Sequence, residues 1–172
     1  MPVSEQGVTL SRYMLIPRTL IFLTRRDAAG CQRVLLLKGA PHKRLWANRY
    51  NGIGGHIEAG EDVLSAARRE LFEETGLTPQ ELWLCGVVTV DTGQNPGIGI
   101  FVLRGECPDG EIVVSEEGEP AWLPLAELDR LPLVEDLPIL LPRLLAMQAG
   151  DAPFAARYHY DENGKLMIDF GG

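Results

Sequence analysis

Several absences narrow the chain before any motif is read. No apolar run approaches the roughly 20 residues of a membrane span, and residues 1–10 carry neither the basic region nor the apolar core of a secretory signal. A cytoplasmic protein with no membrane partner is therefore expected. Cysteine is scarce: Cys31, Cys85 and Cys107 are widely spaced, odd in number and free of any CxxC pair, which excludes a disulfide framework and a zinc ribbon. Basic residues are outnumbered, 16 against 24 acidic, so a nucleic-acid duplex, whose phosphates demand a basic footprint, is not an expected partner. Internal repeats and low-complexity tracts are missing too. An acidic chain can still take a phosphate compound if divalent cations stand between the two negative partners.

At 172 residues, 45% hydrophobic and 23% charged, the chain suits one domain spanning 1–172, with residues 1–10 flexible. Strand patterns occur at 18–24, 33–38, 82–91, 98–104, 111–114 and 121–123, and a closing hairpin at 154–160 and 165–170. Helical patterns occur at 63–75, 125–131 and 135–147, with Pro142 expected to kink or delay the last. The stretch 39–50, with His42, Lys43, Arg44, Arg49 and Trp46, is read as a loop over a binding surface. Strands and helices mix without strict alternation, so the expected class is α/β (α+β), built around a mixed sheet.

One helix stands out. At about 100° per residue, Glu70, Glu73 and Glu74 share one face near the C-terminal end of the 63–75 segment. Like charges at i,i+3 and i,i+4 each cost roughly 0.2–0.5 kcal/mol, and carboxylates in a last turn oppose the helix dipole. Arg69 compensates only in part. A hard divalent cation reverses the sign, because Mg²⁺ takes oxygen ligands from a few carboxylates, water and phosphate. Ala67 and Leu71, with Leu64 at helical spacing, are expected to pack this helix on the sheet, and Gly76 to end it.

Gly55, Glu61, Arg69, Glu70, Leu71, Glu73, Glu74, Gly76 and Leu77 stand at every fixed position of the Nudix box: glycine, five residues, glutamate, seven residues, then Arg-Glu-aliphatic-x-Glu-Glu-x-Gly-aliphatic. The chain thus resembles the Nudix hydrolases. The resemblance implies an α/β/α sandwich with a central mixed sheet, and Mg²⁺-dependent hydrolysis, with Mn²⁺ a substitute, of a nucleoside diphosphate linked to another moiety. It implies Glu70, Glu73, Glu74 and the Gly55 carbonyl as metal ligands, Arg69 as the residue that orients the glutamates, and Glu61 as support for the loop. Water would attack a phosphorus of the pyrophosphate link, and the base that takes its proton would be Glu73 or Glu117.

Within the family the chain is most similar to the MutT-type 8-oxo-dGTP diphosphatases of the purine triphosphate branch. That likeness rests on Arg49 to Asp62, "RYNGIGGHIEAGED", and Leu133 to Pro138, "LVEDLP". It implies that Asn51, Glu135 and Asp136 bind the purine edge. The aromatic that some relatives place two residues before the acidic pair is Leu133 here, and Trp46 is the candidate stacking face in its stead. Lys38 and Arg49 are the expected phosphate contacts. ADP-ribose or another nucleoside diphosphate derivative is the alternative substrate, and a non-catalytic nucleotide sensor the alternative function. The nucleotide is the expected partner, bound by a monomer or homodimer.

Overall fold

Apolar runs buried on both sides place two strands at the centre of the molecule. In a computed structural model, which describes Gly7 and residues 11–107 and 109–171, β1 (Leu15–Arg26) and β2 (Gln32–Gly39) each carry four consecutive buried residues. Such runs mark strands covered on both faces. Along β1 the side chains alternate: Ile21 and Leu23 enter one core, Phe22 the other. On β2 Leu35 and Leu37 join the first core, Val34 and Leu36 the second. The flexible end expected at 1–10 lies, Gly7 apart, outside the described residues.

The sheet adds β3 (Tyr50–Asn51), β4 (Glu81–Val90), β5 (Gly97–Glu106), β6 (Gly118–Pro124), β7 (Phe154–Tyr160) and β8 (Leu166–Phe170). Its order is β3-β2-β1-β5-β4-β7-β8, with β6 on β2. The β1–β5 and β4–β7 pairs are parallel and the other strand pairs antiparallel, so the sheet is mixed. Helix α1 (Val63–Thr75) covers one face through Ala67 and Leu71. Helix α2 (Leu137–Ala146) covers the other through Leu137, Leu140, Leu141 and Leu144. The expected α/β/α sandwich is present. Among the described residues no helix is long and apolar enough to cross a membrane.

The local chemistry of α1 explains its bounds. Asp62 caps the N-terminus, accepting from Leu64 N at 2.8 Å and Ser65 N at 3.0 Å. Gly76, at φ 74°, turns the chain out of the helix in the left-handed conformation, with its N–H donating to Phe72 O at 2.8 Å. Leu64 departs from expectation: it is 43% exposed, and Val63 packs toward the sheet in its place.

Other elements differ from the sequence reading in informative ways. Residues 111–114 form no strand: Val113 and Val114 are exposed, and the Val113 N–H bonds Thr75 O at the end of α1 instead of a ladder. The 125–131 segment is a 3₁₀ turn, Leu125–Arg130. Helix α2 begins at Leu137, two residues late, with Pro138 in its first turn where the missing N–H costs nothing. Pro142 lies inside α2, which continues to Ala146. There the buried Arg104 of β5 donates to the Leu144 and Met147 carbonyls, satisfying acceptors that every helix leaves open at its C-terminus.

Candidate active site

The segment between β3 and α1 is drawn tight against β1. Ile53 and Ile21 exchange backbone hydrogen bonds, and Thr19 N donates to Gly55 O at 2.9 Å. Gly54 sits at φ 154°, and a Cβ there would lie 2.1 Å from Thr19 O. Gly54→Ala is therefore expected to destabilise the fold by roughly 2–4 kcal/mol, read by urea unfolding, because both the backbone conformation and the contact forbid a side chain. At Gly55 a Cβ would meet the Glu70 carboxyl at 2.5 Å. The glycine is what lets the helix carboxylate reach the loop.

Arg69 ties this assembly together. Its guanidinium grips Glu61 with Nε to Oε1 at 2.7 Å and Nη2 to Oε2 at 2.9 Å, the paired geometry that favours Arg over Lys. Further bonds reach Glu70 Oε1 at 2.8 Å, Glu73 Oε2 at 3.2 Å and the His56 carbonyl at 3.0 Å. Glu61 also accepts from Glu58 N at 3.0 Å, closing the turn before α1. The Arg69 guanidinium, and next the Glu58 N–H, hold the Glu61 carboxyl down to about 2. Arg69, between Glu61 and Glu70, stays cationic throughout.

The three box glutamates differ in environment. Glu73 is half-exposed, Glu70 mostly buried, and Glu74 6% exposed with Oε2 lacking any hydrogen-bond partner. Burial, and then the charge of Glu70, push Glu74 up to about 8. Lys43 and the Gly54 N–H work against that rise without cancelling it. An orphaned buried carboxylate oxygen beside a second carboxylate fits a hard cation. Among the described residues no three acidic, histidine or cysteine side chains are already gathered tightly enough to enclose a metal ion. A Mg²⁺ ion does not need such a cage, since it keeps waters and shares phosphate oxygens.

These carboxylates form one wall of a cavity of about 810 Å³. Beside them lie Gly55, Lys43 and Glu117, and Lys43 and Glu117 form an ion pair. The same cavity is lined by Asn51, Glu135, Asp136, Tyr158 and Tyr160, and by the apolar Leu20, Ile100, Val134 and Leu166. Trp46, at φ 58° and 47% exposed, borders the opening beside Leu45. Asn51 Oδ1 accepts from Gly52 N at 2.8 Å. Asp136 occupies the N-cap position of α2 but makes no side-chain cap bond. Burial raises its pKa above the usual carboxylate range; its own N–H and Tyr158 oppose the shift, and Glu135 adds to it.

The structure thus brings together Asn51, Gly55, Glu70, Glu73, Glu74, Glu117, Glu135, Asp136 and Trp46. It does not bring Lys38 or Arg49 to the cavity. Lys38 is held within β2, paired with Tyr50 of β3 and Glu119 of β6. Arg49 closes a turn onto Trp46 O and remains exposed. Leu133 is also elsewhere, bridged to Tyr50 and packed on the core. The cations that do line the cavity are Lys43 and Arg18. Sequence reading passed over Arg18, Tyr158 and Tyr160, because their positions follow from strand pairing across the chain. The alternation in Tyr158-His159-Tyr160 was the one local hint.

Comparison with known proteins is consistent with this geometry. The family described as the NUDIX domain matches residues 14–144. Two curated proteins, both named oxidized purine nucleoside triphosphate hydrolase, are similar: that of Danio rerio is 35% identical over 58% of this chain and 62% of its own length. That of Mus musculus is 32% identical over 60% of this chain and 64% of its own. The match thus spans less than two thirds of each relative. The crystal structure of a MutT protein from Bacillus halodurans superposes with a TM-score of 0.67 at 24% identity, covering 91% of this chain and 97% of that one. That likeness concerns the fold.

Proposed function

The chain belongs to the Nudix family, and from that premise we propose that it hydrolyses the pyrophosphate link of an oxidised purine nucleoside triphosphate such as 8-oxo-dGTP, releasing the monophosphate and pyrophosphate. The observation that carries the reading is that one cavity is lined both by the acidic box residues and by Asn51, Glu135, Asp136 and apolar side chains. The names of the two curated relatives point the same way.

Divalent metal is a general requirement of Nudix hydrolases, and we assign Mg²⁺, replaceable by Mn²⁺, to Glu70, Glu73, Glu74 and the Gly55 carbonyl. A bound divalent ion supplies Lewis-acid chemistry, neutralising phosphate oxygens and acidifying water. The remaining work falls to the chain itself. Arg69 holds Glu70 and Glu73 at fixed angles from Glu61. Glu73 and Glu117 are exposed carboxylates beside Glu74 on the cavity and are the groups open to the proton of the attacking water. Lys43 and Arg18 offer positive charge to the phosphate chain. Asn51 donates from Nδ2, while Asp136, favoured in its neutral form by burial, offers both a donor and an acceptor to the purine edge. Trp46 supplies an aromatic face at the opening.

The test is a nucleotide panel of 8-oxo-dGTP, 2-hydroxy-dATP, dGTP and ADP-ribose with Mg²⁺. The expected result is kcat/KM at least about tenfold higher for an oxidised purine than for dGTP or ADP-ribose, a difference one or two well-placed hydrogen bonds supply. Preferential cleavage of ADP-ribose, or no cleavage of any member, would refute the assignment.

A further inference from the structure

We propose that Tyr158 is a positioning residue for base recognition, its buried hydroxyl holding the Asp136 carboxyl turned into the cavity. The inference rests on the reading of Asp136 as a purine-binding residue. Asp136 stands where an acidic residue ordinarily caps a helix, yet its backbone is already helical, at φ −85° and ψ −23°, and its side chain caps nothing. The carboxyl is therefore free of α2 and needs another partner. Tyr158 is 5% exposed, and its Oη meets no partner at full hydrogen-bond geometry. It lines the same cavity as Asp136, and hydroxyl and carboxyl act on each other's ionisation.

The backbone under Tyr158 is firm. β7 runs parallel to β4, with Tyr158 opposite Val90 and the Tyr158 carbonyl accepting from Asp91 N at 2.8 Å. A phenylalanine would fill the same space, so the hydroxyl has no packing role, and a buried hydroxyl left without a partner costs free energy. A hydrogen bond to Asp136 removes that cost. It also fixes which carboxyl oxygen faces the tyrosine and which faces the base. The ionisable groups facing Asp136 are Glu135 beside it and Tyr158 and Tyr160 on β7. β7 lies beyond the matched family region, which ends at 144.

Tyr158→Phe tests the idea in the free protein first. A hydroxyl that donates to Asp136 favours the carboxylate, so its removal is expected to move the midpoint of the Asp136 carboxyl-carbon NMR titration upward by about half a pH unit or more. An unchanged midpoint overturns the proposal, whatever the enzyme cleaves. With 8-oxo-dGTP, KM is expected to rise roughly 3- to 10-fold with kcat changed less than about twofold, the effect of one hydrogen bond used in binding. In an Asp136→Asn background the same replacement is expected to alter KM by less than about 1.5-fold. An equal rise in both backgrounds means that Tyr158 acts through packing, which also overturns the proposal. A wild-type protein that cleaves no oxidised purine triphosphate refutes the substrate reading, and the Asp136 titration then decides on Tyr158 alone.

Discussion

Replacing Glu74 with glutamine is expected to lower kcat/KM for 8-oxo-dGTP by roughly 10³-fold or more, and to leave the melting temperature equal to or above that of the wild type. The two halves of this result have one cause. Glu74 is buried, one of its oxygens has no partner, and the charge of Glu70 acts on it without a compensating protein cation in hydrogen-bond contact. Taken alone, that arrangement is unfavourable to folding. Glutamine keeps the shape and an oxygen for the Gly54 N–H, and it removes a negative charge from a crowded acidic wall. What it also removes is affinity for a divalent cation, whose stabilisation of transition-state charge is worth several kcal/mol and so about three powers of ten in rate. Steady-state kinetics beside differential scanning calorimetry reads both. Activity within tenfold of wild type, or a melting temperature lower by more than about 5 °C, would count against a metal-ligating Glu74.

Arg69→Met is expected to cost about 10- to 100-fold in kcat/KM, the range typical of groups that orient metal ligands, and to lower the melting temperature at neutral pH by roughly 3–6 °C. The guanidinium makes two bonds to Glu61 and one each to Glu70, Glu73 and the His56 carbonyl, and methionine can make none of them. Partial exposure of Arg69 screens these interactions, which keeps the stability loss modest. The pH dependence has a definite sign. Arg69 lowers Glu61 from an ordinary 4.5 to about 2, so the pairing stabilises the fold above the ordinary value, and that contribution fades as pH falls from about 4.5 through about 2. The difference in melting temperature between wild type and Arg69→Met should therefore shrink steadily across that window. A difference that stays constant from pH 6 to pH 2 would mean that the arginine stabilises by packing alone.

Legibility from sequence divides along the range of the forces involved. α1 was readable to the residue because its determinants are local: an Asp62 cap, 3.6-residue periodicity and a left-handed Gly76. The box spacing from Gly55 to Leu77 was equally readable, since loop and helix are contiguous. Residues 111–114 were misread because β-branched composition says only that a segment suits a strand; no neighbouring strand offers them an edge, and Val113 bonds the end of α1 instead. Lys38 and Arg49 stand outside the cavity lining for a related reason: basic character marks a candidate, and only pairing and turn geometry decide what it faces.

By itself, then, the sequence determined the acidic helix face, the glycine that admits Glu70 to the loop, and the arginine that links Glu61 to the glutamates. These are interactions between residues within about 20 positions of one another, governed by helix geometry and turn chemistry. The tertiary structure alone decided that Asn51, Asp136 and Tyr158 line one cavity with those glutamates. Three distant segments meet there because β3 pairs with β2, the start of α2 packs beneath the sheet, and β7 runs parallel to β4. Those associations come from burying apolar faces over the whole chain, and no local spacing encodes them.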